Sequence, residues 1–104
     1  MFSKKKRVTK DLFQAIMKQG KTLSSPLFVF RYVHQDKTQY AFVAPKGVAK
    51  KAVDRNYLRR KGYSAMRSYQ LKNYAGIFFY KKGTIKTPFS DIKKDIGLIL
   101  EKLL

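Results

Sequence analysis

The residues best suited to chemistry lie in one basic segment, from Lys46 to Arg67. This segment holds eight Lys or Arg residues and a single acid, Asp54. Lysine and arginine donate charge-assisted hydrogen bonds to phosphate groups, and the amide of Asn56 can both donate and accept. Because opposite charges are not interleaved, the cations cannot neutralise one another along a helix face. The segment therefore predicts a surface that binds nucleic acid, with Asn56 fixing a phosphate or a 2′-hydroxyl.

The groups that a protein-based nuclease would need are scarce. Cleavage of RNA by a protein site requires a general acid and base, or clustered carboxylates that hold a metal ion. The single histidine, His34, lies in a predicted turn beside Asp36. Of the six acids, only Asp91 and Asp95 share a helix face, and neighbouring lysines suggest surface ion pairs. We therefore expect no catalytic residue, no metal site and no bound cofactor in the protein itself.

The charge balance of the whole chain favours the same kind of partner. The 104 residues include 24 Lys or Arg and six Asp or Glu, so the formal net charge is +18. Such a surplus repels itself in a compact state unless a polyanion compensates it, which makes nucleic acid the expected partner. The absence of cysteine excludes disulfides, thiolate zinc sites and thiol nucleophiles. Without an apolar signal or spanning segment, we expect a cytoplasmic protein with no membrane partner.

Hydrophobic patterning predicts one small α+β domain of order α-β-β-β-α-β-α, with a sheet packed by helices. With 44% apolar and 14% aromatic residues, the chain can build a single core. The two strand-like runs that flank the polar turn 34–37 predict an antiparallel hairpin, and Gly62 is expected to weaken the middle helix. The expected elements are helix 9–19, a short edge strand 21–25, strands 27–33 and 39–44, helix 49–69, strand 75–80 and helix 90–104.

Residues 1–8 are expected to form a flexible basic arm that touches RNA, ahead of a single domain over 9–104. Within that domain, the middle helix should present one cationic face. On a helix of 3.6 residues per turn, six side chains fall within an arc of about 140°. They are Arg55, Asn56, Arg59, Arg60, Tyr63 and Arg67.

The strand over 27–33 should separate core residues from accessible ones. Phe28, Phe30 and Tyr32 share one face, and Arg31 lies on the other, between two valines. We therefore expect Arg31 on an accessible face and at least two of the three aromatic rings in the core. Phe13 recurs at helical spacing with apolar neighbours, which leaves open whether it packs in the core or contacts a ligand.

The basic segment also carries a family resemblance. It contains the run Ala44-Pro-Lys-Gly-Val-Ala-Lys-Lys-Ala-Val-Asp-Arg-Asn-Tyr-Leu-Arg-Arg60, which resembles the hallmark helix of the protein subunit of bacterial ribonuclease P. The runs Leu12-Phe13-Gln14, Lys18-Gln19-Gly20 and Tyr80-Lys-Lys-Gly83 fall in the family's order and spacing, so the resemblance covers nearly the whole chain. Three positions depart from the pattern by losing positive charge: Gly47, Tyr57 and Tyr63. Beside the first of them, Pro45 stands where the family usually has a small residue.

The resemblance implies a non-catalytic partner of a ribozyme. In this family the holoenzyme removes the 5′ leader of precursor tRNA, and the RNA subunit with its Mg²⁺ carries out the hydrolysis. The resemblance further implies a monomeric protein in a 1:1 ribonucleoprotein and a left-handed strand-helix-strand crossover. Residues expected to face the catalytic RNA are Lys46, Lys50, Lys51, Arg55, Asn56, Arg59 and Arg60, with Arg67 restoring part of a lost contact. Residues expected in the leader cleft are Phe13, Met17, Phe28, Arg31 and Lys82.

Two alternatives stay open on the residues alone. A basic α+β domain of this size could instead be a ribosomal or rRNA-binding protein without processing activity. At the departing position on the cationic helix, the ring of Tyr57 either packs partly against the protein or stacks on an RNA base.

Overall fold

A computed structural model describes residues 8–69 and 73–103. The element order α-β-β-β-α-β-α is confirmed, including the short strand at the edge. The elements are α1 (Lys10–Gln19), β1 (Lys21–Ser24), β2 (Phe28–His34), β3 (Gln39–Val43), α2 (Ala52–Met66), β4 (Tyr74–Tyr80) and α3 (Phe89–Lys102). Apart from Val8, the predicted basic arm lies outside the described residues, as does Leu104 at the end of the last predicted helix.

Local sequence signals determine where α1 begins and ends. The side chain of Thr9 accepts a hydrogen bond from the backbone N–H of Leu12 at 3.2 Å, as expected of an N-cap. At the other end, the N–H of Gly20 donates to the carbonyl of Ile16 at 2.7 Å. The first predicted helix is therefore confirmed almost to the residue.

The sheet does not contain the predicted hairpin. Its strand order is β1-β2-β4-β3, so β4 lies between β2 and β3. It pairs antiparallel with all seven residues of β2 and parallel with β3. The physical reason is that β4 is a nearly continuous apolar run, buried on both faces, which suits a central strand better than an edge. The hairpin prediction is wrong because the turn 35–38 joins two strands that do not pair with each other.

The parallel pairing of β3 and β4 makes α2 a crossover helix. A parallel pair needs a long connection from the end of one strand to the start of the next, and α2 provides it. A hydrogen bond joins the residue before β4 to the turn between β2 and β3: the N–H of Gln35 donates to the carbonyl of Asn73 at 2.9 Å. The left-handed sense of this crossover stays a prediction.

Helices cover both faces of the sheet. One face packs against α2 and α3 around a core that includes Phe28, Phe30, Phe42 and Phe78. The other face packs against α1 through a smaller cluster centred on Ile16 and Ile77. The predicted alternation along β2 is confirmed, because Phe28 and Phe30 are fully buried on the first face. In the part of the chain that the structure describes, no helix is long and apolar enough to span a membrane.

Gly62 allows close packing between α2 and the sheet. The sequence predicted only that this glycine weakens the helix. It lies inside α2, directly over the ring of Phe42 on β3. A Cβ atom at this position would overlap three carbon atoms of that ring. The missing side chain therefore allows α2 to lie close to the sheet, and the helix runs through this residue without a break.

Asp95 is buried, so the prediction of a surface ion pair at this residue is wrong. It is 4% exposed, and its carboxylate accepts hydrogen bonds from the hydroxyl of Ser25 and from the N–H of Leu27, the latter at 3.1 Å. The flanking lysines predicted a surface position for Asp95, whereas α3 turns this residue toward the β1–β2 connection. Asp95 therefore joins α3 to the sheet edge over a long sequence separation.

We expect Gly62→Ala to destabilise the protein despite the higher helix propensity of alanine. The propensity gain is about 1 kcal/mol, whereas forcing a methyl group into a packed core costs about 1–3 kcal/mol. Chemical denaturation should therefore give a lower free energy of unfolding. Ser64→Ala, an exposed position of the same helix, is the control and should leave stability unchanged or slightly raised. A stability gain for Gly62→Ala equal to that of the control would contradict the close contact with Phe42.

We also expect Asp95→Ala to lower the free energy of unfolding by about 1–3 kcal/mol, because it leaves the N–H of Leu27 without its acceptor and removes the bond from the Ser25 hydroxyl. Asp91→Ala removes an exposed acid from the same helix and should cost less. In a double-mutant cycle, Ser25→Ala should be less damaging in the Asp95→Ala background than in the wild type. Additive losses would show that the two side chains are not coupled.

Candidate nucleic-acid interface

The outer face of α2 carries the cations that the sequence predicted there. The helix buries Leu58, Gly62, Ala65 and Met66 against the sheet and α3. The opposite side consequently faces solvent, and the side chains of Asn56, Arg59, Arg60 and Arg67 are exposed. The helix spans fewer residues than predicted, so Lys50 and Lys51 lie just before it and Arg67 just after it.

An open groove runs beside this face. It has a volume of about 620 Å³ and lies between α2, strand β3 and Val8, which precedes the N-cap of α1. Asn56, Arg59, Arg60 and Tyr63 of α2 line it with polar groups, and Arg59 donates a hydrogen bond to the Oδ1 atom of Asn56. This bond orients the Arg59 guanidinium toward its neighbour on the same helix. We call this feature the α2 groove, and its lining residues are Val8, Ala41, Val53, Asn56, Arg59, Arg60 and Tyr63.

Arg55 differs from its neighbours because it is half-buried. Its Nη1 atom donates to the carbonyls of Ala49 and Lys50, at 3.0 and 2.8 Å. Arg55 thereby fastens the loop before α2 to the first turn of the helix. Its position beside the exposed Lys50 still adds positive charge to the same end of α2.

The loops after β3 and β4 bring two further predicted cations together. Lys46 is exposed in the turn that follows β3, where the N–H of Val48 donates to the carbonyl of Pro45 at 2.9 Å. Lys82 follows β4, and its Cε atom would be 3.7 Å from a Cβ atom built on Gly47. Lys82 therefore lies beside the loop of Lys46, whereas the resemblance grouped it with residues of α1.

Two residues of the implied leader cleft meet at the end of α1. The Nη2 atom of Arg31 donates to the carbonyls of Met17 and Gly20, at 2.9 and 3.2 Å, and its Nη1 atom donates to the Thr22 hydroxyl at 3.1 Å. Arg31 thus binds the negative end of the α1 dipole and fixes this helix on the sheet. The side chain of Met17 is 42% exposed beside it. One turn earlier, Phe13 is partly buried and packs edge-on against Phe79, with ring centroids 6.3 Å apart.

Phe28 must be reassigned from the cleft to the core. It is fully buried, and its ring packs edge-on against Phe42 and Phe78, with centroids 5.9 and 5.6 Å apart. No part of this side chain is exposed to a ligand. The resemblance placed Phe28 near the cleft by position along the chain, while the alternation of β2 turns it to the opposite face of the sheet.

Tyr63, one of the departures from the family pattern, takes part in the fold. Its hydroxyl accepts a hydrogen bond from the N–H of Phe42 at 3.3 Å. Its ring also packs against those of Phe42 and Tyr40, with centroids 5.1 and 6.1 Å away. Tyr63 therefore links α2 to β3 and forms one wall of the α2 groove.

Two tyrosines near α2 stay neutral around physiological pH. Burial raises the pKa of the Tyr80 hydroxyl, which donates to the carbonyl of Leu58 at 2.6 Å. Burial also raises the pKa of Tyr40, and nearby Tyr63 adds to the increase while the positive charge of Arg67 opposes it. Neither hydroxyl adds negative charge that would oppose an anionic ligand.

The described residues hold no group of three or more His, Cys, Asp or Glu side chains that could bind a metal ion. His34 is exposed, as predicted, but it is the last residue of β2 and does not lie in the turn. Its ring packs edge-on against Tyr74 with a centroid distance of 5.3 Å. The polar groups in the described part of the interface are cations, an amide and a tyrosine, and such side chains can bind phosphates and bases.

Three apolar residues of the α2 groove were not predicted from the sequence: Val8, Ala41 and Val53. The alternation of β3 offers a signal for one of them. Tyr40 and Phe42 are buried on one face, so Ala41 must lie on the other, where its small side chain leaves space at the floor of the groove. Val8 and Val53 carry no comparable signal, because their places in the groove depend on how α2 packs against the sheet.

The fold is similar to solved structures of ribonuclease P proteins from two bacteria. The Staphylococcus aureus RNase P protein matches with a TM-score of 0.81 and 18% identity, over 94% of each chain. The Thermotoga maritima RNase P protein matches with a TM-score of 0.80 and 22% identity, over 96% of this chain and 97% of that one. At these identities the likeness shows the fold alone.

Sequence comparison identifies the family. No curated protein matches this chain. The profile of the Ribonuclease P family, in contrast, matches residues 2–104. Because that match spans almost the entire sequence and the fold agrees with it, the chain belongs to the ribonuclease P protein family.

Proposed function

We propose that this protein is the RNA-binding subunit of a ribonuclease P holoenzyme that removes the 5′ leader of precursor tRNA. The observation that carries the proposal is the outer face of α2, where Asn56, Arg59 and Arg60 line an open groove in a chain of this family. In the proposed complex this face binds the catalytic RNA. The RNA subunit, with its own Mg²⁺, hydrolyses the phosphodiester bond.

The chemistry of the α2 face suits structured RNA. Exposed guanidinium groups donate to phosphate oxygens, and an amide can bind a 2′-hydroxyl that both donates and accepts. The internal bond from Arg59 to Asn56 restricts both side chains before binding, which lowers the entropy lost when the RNA docks. Lys46, Lys50 and Lys51 extend the positive surface across the loops before α2.

The other predicted contact, with the single-stranded leader, is supported by the surface around α1. Met17 is exposed, and Phe13 keeps part of its ring accessible. Arg31 adds a positive charge at the end of the helix. Aromatic and apolar surface beside a cation binds single strands with little sequence preference, which suits a factor that serves many precursors.

The remaining features of the proposal follow from the family. The protein binds no cofactor of its own, works in the cytoplasm where tRNA precursors are processed, and joins one catalytic RNA as a monomer.

Reconstitution tests the proposal directly. We expect the full-length protein, added to a bacterial ribonuclease P RNA at low Mg²⁺, to increase leader cleavage and the affinity for precursor tRNA over the RNA alone. Protein without RNA should not cleave. If the protein leaves both quantities unchanged, the subunit role is contradicted. Equal affinity for precursor and mature tRNA, with co-purification on ribosomal particles, would instead favour an rRNA-binding protein.

We expect Arg59→Ala and Arg60→Ala each to weaken binding of the catalytic RNA and to reduce its salt dependence. The slope of log affinity against log salt is negative, and each lost phosphate contact should make it less steep by about one unit, because fewer counterions are released. A filter-binding titration over several salt concentrations measures both effects. Lys94→Ala, an exposed cation of α3 away from the α2 groove, is the control and should change the slope less. Equal losses in all three variants would mean that total charge matters and its location does not.

A further inference from the structure

A second groove lies on the neighbouring side of α2, around Tyr57, which is not one of the proposed phosphate contacts. Tyr57 is 47% exposed, and one turn before it Val53 is 64% exposed. The groove has a volume of about 490 Å³ between the helix and the loop that follows β4. We call it the Tyr57 groove, and its lining residues are Val53, Asp54, Tyr57, Arg60, Ile85 and Lys86.

We propose that the Tyr57 groove binds one unpaired base of the catalytic RNA, which stacks on the ring of Tyr57. This inference rests on the proposed function, because it assigns a second contact to the same RNA. It adds a base-stacking site to a helix whose other contacts are with the RNA backbone.

The ring of Tyr57 is already held in place for stacking. The Nζ atom of Lys61 lies 4.5 Å from the ring centroid, within the range of a cation–π interaction. The same Nζ atom donates to the carbonyl of Thr87 at 3.2 Å, which ties it to the loop before α3. A base would stack on the ring face opposite Lys61, so the aromatic group would be enclosed between a cation and a base.

The charges around the groove favour a nucleotide over an apolar peptide. Arg60 and Lys86 line its walls and can bind the phosphates on either side of a stacked base. Asp54 lies among them and would repel a phosphate placed beside it, but its carboxylate can accept from the exocyclic amine of a base. Val53 and Ile85 supply apolar surface that a base covers and a phosphate does not.

Continuity with the α2 groove identifies the catalytic RNA as the source of that base. Val53 and Arg60 line both grooves, so one RNA strand can follow the helix surface from one to the other. The surface assigned to the leader is formed by α1 and β2 instead, around Met17 and Arg31.

Substitutions at Tyr57 separate stacking from charge. We expect Tyr57→Phe to bind the catalytic RNA with nearly wild-type affinity, since the ring is kept. Tyr57→Leu should weaken binding by roughly five- to 150-fold, the range expected for losing one base–aromatic stack. The slope of log affinity against log salt should stay unchanged, because no phosphate contact is lost. Phe89→Leu is the matched control, since this ring is 40% exposed and lines neither groove, and it should bind normally.

Fluorescence gives an independent measurement. The chain contains no tryptophan, so Tyr57→Trp introduces a single indole at the site. We expect this variant to keep its affinity, and the indole emission to be quenched and shielded from acrylamide when the catalytic RNA binds. A leader oligonucleotide at the same concentration should leave the emission unchanged; quenching by the leader alone would overturn the assignment to the catalytic RNA.

The outcomes distinguish this inference from the proposed function. If Tyr57→Leu binds normally and the indole stays unquenched while Arg59→Ala still weakens binding, base stacking is wrong and the subunit role stands. If the wild-type protein does not bind the catalytic RNA at all, the proposed function itself fails. Thermal unfolding of each variant excludes a folding defect, which is not expected at so exposed a side chain.

Discussion

The parallel pairing of β3 with β4 is the constraint on which the rest of the structure depends. Because β4 occupies the centre of the sheet, the chain must leave the end of β3 and return to the start of β4, and α2 is the element that makes this crossing. The crossing places a helix with few apolar residues beside the edge strand. It can pack there because Gly62 allows it to approach Phe42 and because Tyr63 bonds to the N–H of the same residue. The polar side of α2 then borders a groove whose floor is the sheet edge.

The features that could be predicted from the sequence are those determined by neighbours along the chain. The cap at Thr9 and the apolar stripe of α3, for example, are local patterns, and the structure has both. The partners of a strand are not local. Each strand-like run could pair with any other, and the prediction joined β2 to β3 because they are consecutive, whereas the fully apolar β4 must be buried on both faces.

The difference between local patterns and contacts of distant residues also explains which features of the site were predicted correctly. The cationic arc on α2 follows from helical periodicity alone and was predictable. Arg31 was expected on an accessible face of β2, but that face packs against α1, and Arg31 is only partly exposed. The surface ion pair predicted for Asp95 was wrong, and the packing of Gly62 against Phe42 was not predicted, because both contacts involve distant residues. The alternation of β2 correctly predicted aromatic rings in the core, whereas the cleft position that the resemblance gave Phe28 was wrong. Phe28 lies against rings from two other strands, and Asp95 accepts from residues about seventy positions earlier in the chain. Local sequence carries no information about such contacts.

The hydrogen bonds of the cations explain how a chain with so few acids can fold and keep its charge. Arg31, Arg55, Lys61 and Lys102 each donate to backbone carbonyls, which lie at a helix end, in loops and at the end of β1. A carbonyl carries only a partial negative charge, so it can orient a cation without neutralising it, as a carboxylate would. The protein thereby uses its basic side chains to fasten loops and helices while the net charge of +18 persists. In the proposed complex, the RNA is the polyanion that would compensate this charge, because hydrogen bonds to carbonyls leave it in place.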